Sequence, residues 1–142
     1  MKRKAFTLVE LLTTIAIAGI LLGAAVPSYV AMKNSVSLND TANEIAHALR
    51  TAQNLSLASV GTAPHTVNFN SAGTNYTLDT SSTSLSNNLK ILTGKGITVT
   101  FARLSGIPTF APSTPAYFEV GYSFTRSKKI SVSSIGKIDI TQ

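Results

Sequence analysis

Apolar positions along the chain change their spacing twice. From Leu11 to Val30, "LLTTIAIAGILLGAAVPSYV", no charged residue occurs, and about 20 residues rising 1.5 Å each are enough to cross a bilayer as a helix. Further on, Leu38, Ala42, Ile45, Leu49, Ala52 and Leu55 recur at three- and four-residue spacing, with Lys33, Asn39, Glu44 and Arg50 outside that stripe. The apolar rod therefore continues as an amphipathic one. Together they predict one helix from about Phe6 to Leu57, interrupted near Gly19 and Pro27 and closed before "SVGTAPH" by Gly61 and Pro64.

After Pro64 the period falls to two. "HTVNFN" turns Val67 and Phe69 inward, "NYTLD" offers Tyr76 and Leu78, and Ser71 and Gly73 between them mark a hairpin loop. "GITVTFARL" puts Ile97, Val99 and Phe101 on one face, before a turn through Ser105, Gly106 and Pro108. "YFEVGYSF" aligns Phe118, Val120, Tyr122 and Phe124; "KKISVSSIGKIDI" aligns Ile130 with Val132, turns at Gly136 and aligns Ile138 with Ile140. The stretch 80–93 begins as a polar loop and ends as a short strand. Strands separated by turns predict antiparallel sheet, so the fold class is α+β: a long N-terminal helix whose second half packs on a C-terminal antiparallel β domain.

Composition adds limits. With 142 residues the chain fits one modest domain plus an appendage. Cysteine is absent, which excludes a disulfide framework and a thiol nucleophile. Lys2, Arg3 and Lys4 supply half of the formal net charge of +6, and their position orients the apolar helix with its amino end in the cytoplasm. A conventional secretory signal is the rival reading, with Gly23 and Ala25 as a small-residue cleavage site before Val26. Two features oppose it. Glu10 lies inside the apolar region, where a carboxylate costs roughly 2.5–3.5 kcal/mol at the centre of a spanning helix and less near its end. Helical periodicity also continues past the cut that the rival requires.

"KRKA" followed by "FTLVELL" resembles the class III signal of type IV prepilins and type II secretion pseudopilins. The resemblance implies cleavage by prepilin peptidase between Ala5 and Phe6, with N-methylation of the new Phe6 amine. Ala5 departs from the glycine usual before the cut but is also small. The resemblance assigns Glu10 to assembly, through the Phe6 amine of a neighbouring subunit, and places Gly19 and Pro27 where such helices commonly break, as points of flexibility. It divides the chain into a leader (1–5), a transmembrane and assembly helix (6–31), an amphipathic helix (32–60) and the β domain (61–142). The subunit is expected as a single-pass protein of the inner membrane, its globular part outside the cytoplasm, and then as part of a filament with other pilin or pseudopilin subunits. Downstream, "ANEIAHALRTAQNLSLASVGTAPHTVNF", "ITVTFARLSGIP" and "ISVSSIGKIDI" resemble the GspH/FimT family of minor pseudopilins and minor pilins; a major pilin is the alternative.

Local chemistry is sparse. His47 and His65 are the two imidazoles, and neither has a carboxylate or second histidine at metal-ligand spacing. No G-x-S-x-G elbow or glycine-rich phosphate loop occurs. Asp40 and Glu44, one helical turn apart, fit a solvated helix face better than an acid/base pair. The chain reads as an enzyme's substrate rather than an enzyme, with no cofactor or metal. One other candidate remains: Arg126, Lys128 and Lys129 in an expected turn, with Lys137 on the last hairpin, could attract DNA phosphates in a salt-dependent manner. Related minor pilins of natural transformation bind DNA through a C-terminal Gly-Arg-x-Arg pattern. Here that place reads Gly136-Lys137-Ile138-Asp139, with an acid where the second arginine would stand.

Overall fold

The computed structural model describes residues 6–61, 64–85, 88–112 and 117–141, the side chains of 24 and 25 excepted. The chain divides into two compact units between Val36 and Ser37. The helix α1 (Leu8–Leu57) begins in the first and ends in the second.

In the first unit the expected break is absent: α1 is continuous through Gly19 and Pro27. Proline removes one backbone donor from the ladder, and the bonds of the turns on either side carry the helix across that gap. The most apolar window of α1 is long enough to cross a membrane, and none of it is buried. Thr13 Oγ1 donates to the Glu10 carbonyl at 3.0 Å and Thr14 Oγ1 to that of Leu11 at 2.8 Å. Both hydroxyls are thus satisfied within the helix, which removes most of their cost in hydrocarbon.

In the second unit the stripe of α1 packs as its periodicity predicts. Leu38, Ala42, Ile45, Leu49 and Ala52 are buried, with Leu55 half-buried at the end. They meet two antiparallel sheets. The five-stranded sheet comprises β1 (His65–Phe69), β2 (Asn75–Leu78), β3 (Ser81–Ser84), β5 (Thr98–Phe101) and β6 (Pro108–Ala111) in the order β3-β2-β1-β5-β6. The four-stranded sheet comprises β4 (Lys90–Thr93), β7 (Phe118–Ser123), β8 (Arg126–Val132) and β9 (Ile138–Thr141) in the order β4-β7-β8-β9.

One cluster of apolar side chains joins helix and sheets. Val67, Phe69, Val99 and Phe101 come from the first sheet, and Ile91, Phe118, Val120 and Ile130 from the second. The Phe69 and Phe118 rings, with centroids 4.3 Å apart, join the two sheets at the centre. The last turns of α1 are tied down by polar contacts: Arg50 Nη2 donates to the Ile138 carbonyl at 3.2 Å, and Gln53 Nε2 to those of Gly106 and Gly136 at 3.3 and 3.0 Å.

Three local expectations are corrected. Phe124 is 70% exposed and outside the strand, because the register of β7 shifts between Gly121 and Ser123 and the chain reverses at 124–125. Arg126, Lys128 and Lys129 therefore lie in β8 rather than in a turn. Two further strands also exist: β3 within the expected polar loop, and β6, which begins at the expected turn proline, Pro108. As an edge strand β6 accommodates a residue without an N–H donor.

Candidate functional site

The described residues begin with two non-helical ones, Phe6 and Thr7. Phe6 is 74% exposed and precedes α1, so it does not share a helical face with Glu10. Thr7 is the N-cap: its Oγ1 accepts the Glu10 backbone N–H at 3.2 Å, and its carbonyl accepts the Leu11 N–H at 3.2 Å. Thr7-Leu8-Val9-Glu10 has the T-x-x-E spacing of a capping box, a local signal legible in the sequence. Glu10 is the acidic residue of the first turn, where the positive end of the helix dipole favours a carboxylate. Among the described residues its carboxylate has no hydrogen-bond or ion-pair partner. Ala5 lies outside the described residues. Gly19 has nothing within 4 Å of where a Cβ would stand.

The four cations expected as one cluster are divided. Strand alternation puts Arg126 and Lys128 on the face of β8 that carries the buried Ile130 and Val132, and Lys129 on the opposite face. Lys129 Nζ lies 3.9 Å from the centroid of the Tyr117 ring, a cation–π contact. Lys129 stands opposite Glu119, a buried carboxylate that accepts hydrogen bonds from Thr93 Oγ1 and Ser127 Oγ. Lys137 pairs with Asp139 at 2.8 Å. The Asp that departs from the transformation pattern thus neutralises the lysine that remains of it.

The fold also assembles groups that sequence spacing keeps apart. His65 opens β1, and Asp79 follows β2 in the same hairpin. Asp79 Oδ2 faces His65 Nδ1 at 2.6 Å, while the Val60 carbonyl faces Nε2 at 2.9 Å. Asp79 Oδ1 also accepts the Thr66 N–H at 2.8 Å. The hydrogen bond to Asp79 and then that to the Val60 carbonyl raise the His65 pKa above its ordinary 6.5, against desolvation and the charge of Arg103. Desolvation opposes ionisation of Asp79, but the bonds from His65 and Thr66 prevail and hold its carboxyl below the ordinary 3.8. The pair fastens the chain just after α1 to the first sheet.

A groove of about 630 Å³ runs between α1 and β2–β3, with Asp40, Glu44 and His47 on its helix side and Tyr76 and Leu78 on its sheet side. Tyr76 donates its hydroxyl to Glu44 at 3.1 Å. Desolvation, with the charge of Glu44, pushes the tyrosine pKa up to about 12, so this proton stays in place at neutral pH. His47 Nδ1 has Thr51 Oγ1 at 3.3 Å. Among the described residues no three His, Cys, Asp or Glu side chains are placed to share a metal ion.

No curated protein and no solved structure matches the chain. Residues 1–26 match the family model described as the prokaryotic N-terminal methylation motif. With Thr7 and Glu10 opening an apolar helix fit for an inner membrane, that match supports a prepilin-type protein, a precursor processed by prepilin peptidase.

Proposed function

We propose that the chain is a prepilin-like structural subunit of the GspH/FimT kind, a minor pilin or pseudopilin. Residues 1–5 are its leader, cut between Ala5 and Phe6, and the new Phe6 amine is methylated. Residues 6–31 hold the subunit in the inner membrane as a single span with the globular part outside the cytoplasm. The same segment then enters a type IV pilus or type II secretion pseudopilus alongside other subunits. Gly19 and Pro27 mark where the helix ladder is weakest during that transfer.

The observation that carries this reading is Glu10. It is an ionisable residue in the first turn of an exposed apolar helix, inside the segment matched to the methylation motif. An unpartnered carboxylate in hydrocarbon is costly, and the Phe6 amine of a neighbouring subunit offsets that cost only when two copies are in axial register. Glu10→Ala removes the charge and should leave membrane insertion intact while reducing the subunit's presence in filaments at least about tenfold, the loss of a contact worth roughly 1.4 kcal/mol. Immunoblots of membrane and sheared-filament fractions measure both quantities. Incorporation of Glu10→Ala at the unsubstituted level would overturn the reading.

A further inference from the structure

In an antiparallel sheet with one face on the core, the residues between the buried ones stand on the other face. The outward face of the five-stranded sheet carries no charged residue at any position of its strands. By register, Ser82, Thr77, Asn68 and Thr98 form one row across β3, β2, β1 and β5, which Ala111 of β6 ends. Thr66, Thr100 and Thr109 form the next row, on β1, β5 and β6. The outward face of the four-stranded sheet differs, because Glu119, Lys129 and Asp139 stand on it. At the margin of the neutral face the Asp79 carboxylate is already paired with His65.

A cleft of about 350 Å³ lies in this face, where Asn68 and Thr77 meet the turns after β1 and before β5. Its polar side chains are amides and hydroxyls, from Asn68, Asn70, Ser71, Asn75 and Thr77. Phe69 and Tyr76 also border it, but their rings are buried in the core. Gly96 closes the β5 side with bare backbone: its N–H donates to the Phe69 carbonyl at 2.7 Å, and a Cβ there would meet nothing nearer than Ser71 at 3.8 Å. Lys95 lays its stem against Gly73 and does not line the cleft. The amides are held in place. Asn68 Nδ2 donates to Thr98 Oγ1 at 2.6 Å, Asn70 Nδ2 to Asn75 Oδ1 at 2.5 Å and Asn75 Nδ2 to Ser82 Oγ at 3.2 Å. Two groups are left over, side by side on paired strands: among the described residues Asn68 Oδ1 accepts no hydrogen bond and the Thr77 hydroxyl makes none.

We infer that this face binds a neutral glycan, an extended chain of uncharged sugar units. One unit sits in the cleft with neighbouring hydroxyls on Asn68 Oδ1, which accepts, and on the Thr77 hydroxyl, which donates or accepts. The chain continues along the row toward Thr98 on one side and Ser82 on the other, over strands about 4.8 Å apart, a repeat close to the length of one sugar ring. A charged polymer would find no counter-charge on these rows, and a charge taken from water without a partner is costly. A protein partner would ask for an apolar centre, and Ala111 alone supplies an apolar side chain to the two rows. A neutral sugar exchanges hydrogen bonds with water for equivalent ones on side chains that the amide network already orders. That exchange is nearly balanced, so a single copy binds weakly.

The test titrates the full-length chain, in a detergent without a sugar headgroup, with cellohexaose and with chitohexaose, two neutral hexasaccharides of which only the second carries acetamido groups. At least one should bind saturably with a Kd of order 1 mM, and added salt should leave that value unchanged. Asn68→Ala with Thr77→Ala should raise the Kd at least about tenfold. Thr77→Glu, which keeps the Asn68 bond to Thr98 and adds bulk and charge to the cleft, should do the same. Ser134→Glu, in the turn between β8 and β9, should bind like the unsubstituted chain. Thermal melts confirm that each variant is folded. No saturable binding of either hexasaccharide up to roughly 10 mM, binding that Thr77→Glu retains, or affinity that falls with salt would overturn the inference. Tighter binding of a nucleic acid or an acidic polymer at the same residues would overturn it too. Neither leader cleavage nor a filament is required, so that failure would leave the Glu10 reading standing.

Discussion

His65 faces an acceptor at each ring nitrogen, a carboxylate on one side and a carbonyl on the other. Both are satisfied only when both nitrogens donate, which is the imidazolium. Folding therefore raises the pKa of this group, and its stabilising contribution is complete below about pH 6.5 and is lost as pH rises through the higher folded value. For Asp79 the sign is opposite: its contribution is present above about pH 3.8 and is lost as pH falls through the lower folded value. The pair contributes most between those limits. Thermal melts from pH 5.5 to 8.5 should show the unsubstituted chain losing more stability with rising pH than His65→Gln, which cannot titrate. Parallel curves would show that the pair is not a source of pH dependence.

Individual residues also show where sequence reasoning stops. Asp79 lies far from His65 along the chain, and only the β1–β2 register brings their side chains together. The Thr7–Glu10 cap, by contrast, is local, and the T-x-x-E spacing was there to be read. Glu44 appeared to need nothing but solvent, yet it is the acceptor for Tyr76.

Among the elements, legibility follows how much of each is buried. The second half of α1 was predictable because burial on one side imposes a helical period on its apolar residues. The strands β1, β5 and β8 were visible through alternation for the same reason. In β3, Ser81–Ser84, the side chains are mostly exposed hydroxyls, so no apolar face marks it; its hydrogen bonds to β2 alone define it. The cations of β8 looked like a turn because charged residues usually stand in one, but the reversal falls at the preceding 124–125.

Gly121 shows how closely β7 and β8 approach. A Cβ there would lie 2.5 Å from the Arg126 carbonyl oxygen and 2.7 Å from Ser127 Cα, both backbone atoms that cannot step aside without moving the strand. Gly121→Ala should therefore destabilise the fold by about 1–3 kcal/mol, measurable by chemical denaturation. An unchanged midpoint would mean that the two strands part at little cost.

At the scale of the whole molecule, the two units divide the work by the solvents they suit. The first presents apolar side chains, intrahelical hydroxyl bonds and one carboxylate, a composition that suits lipid or a bundle of like helices. The second buries its own core and presents hydroxyls and scattered charges to water. Assembly through Glu10 requires the first unit to be retained in the mature protein with a new amine at its start. N-terminal mass analysis of the protein isolated from its native cells tests this most directly: the chain should begin at a methylated Phe6, and a mature chain beginning at Val26, or one still carrying residues 1–5, would contradict it.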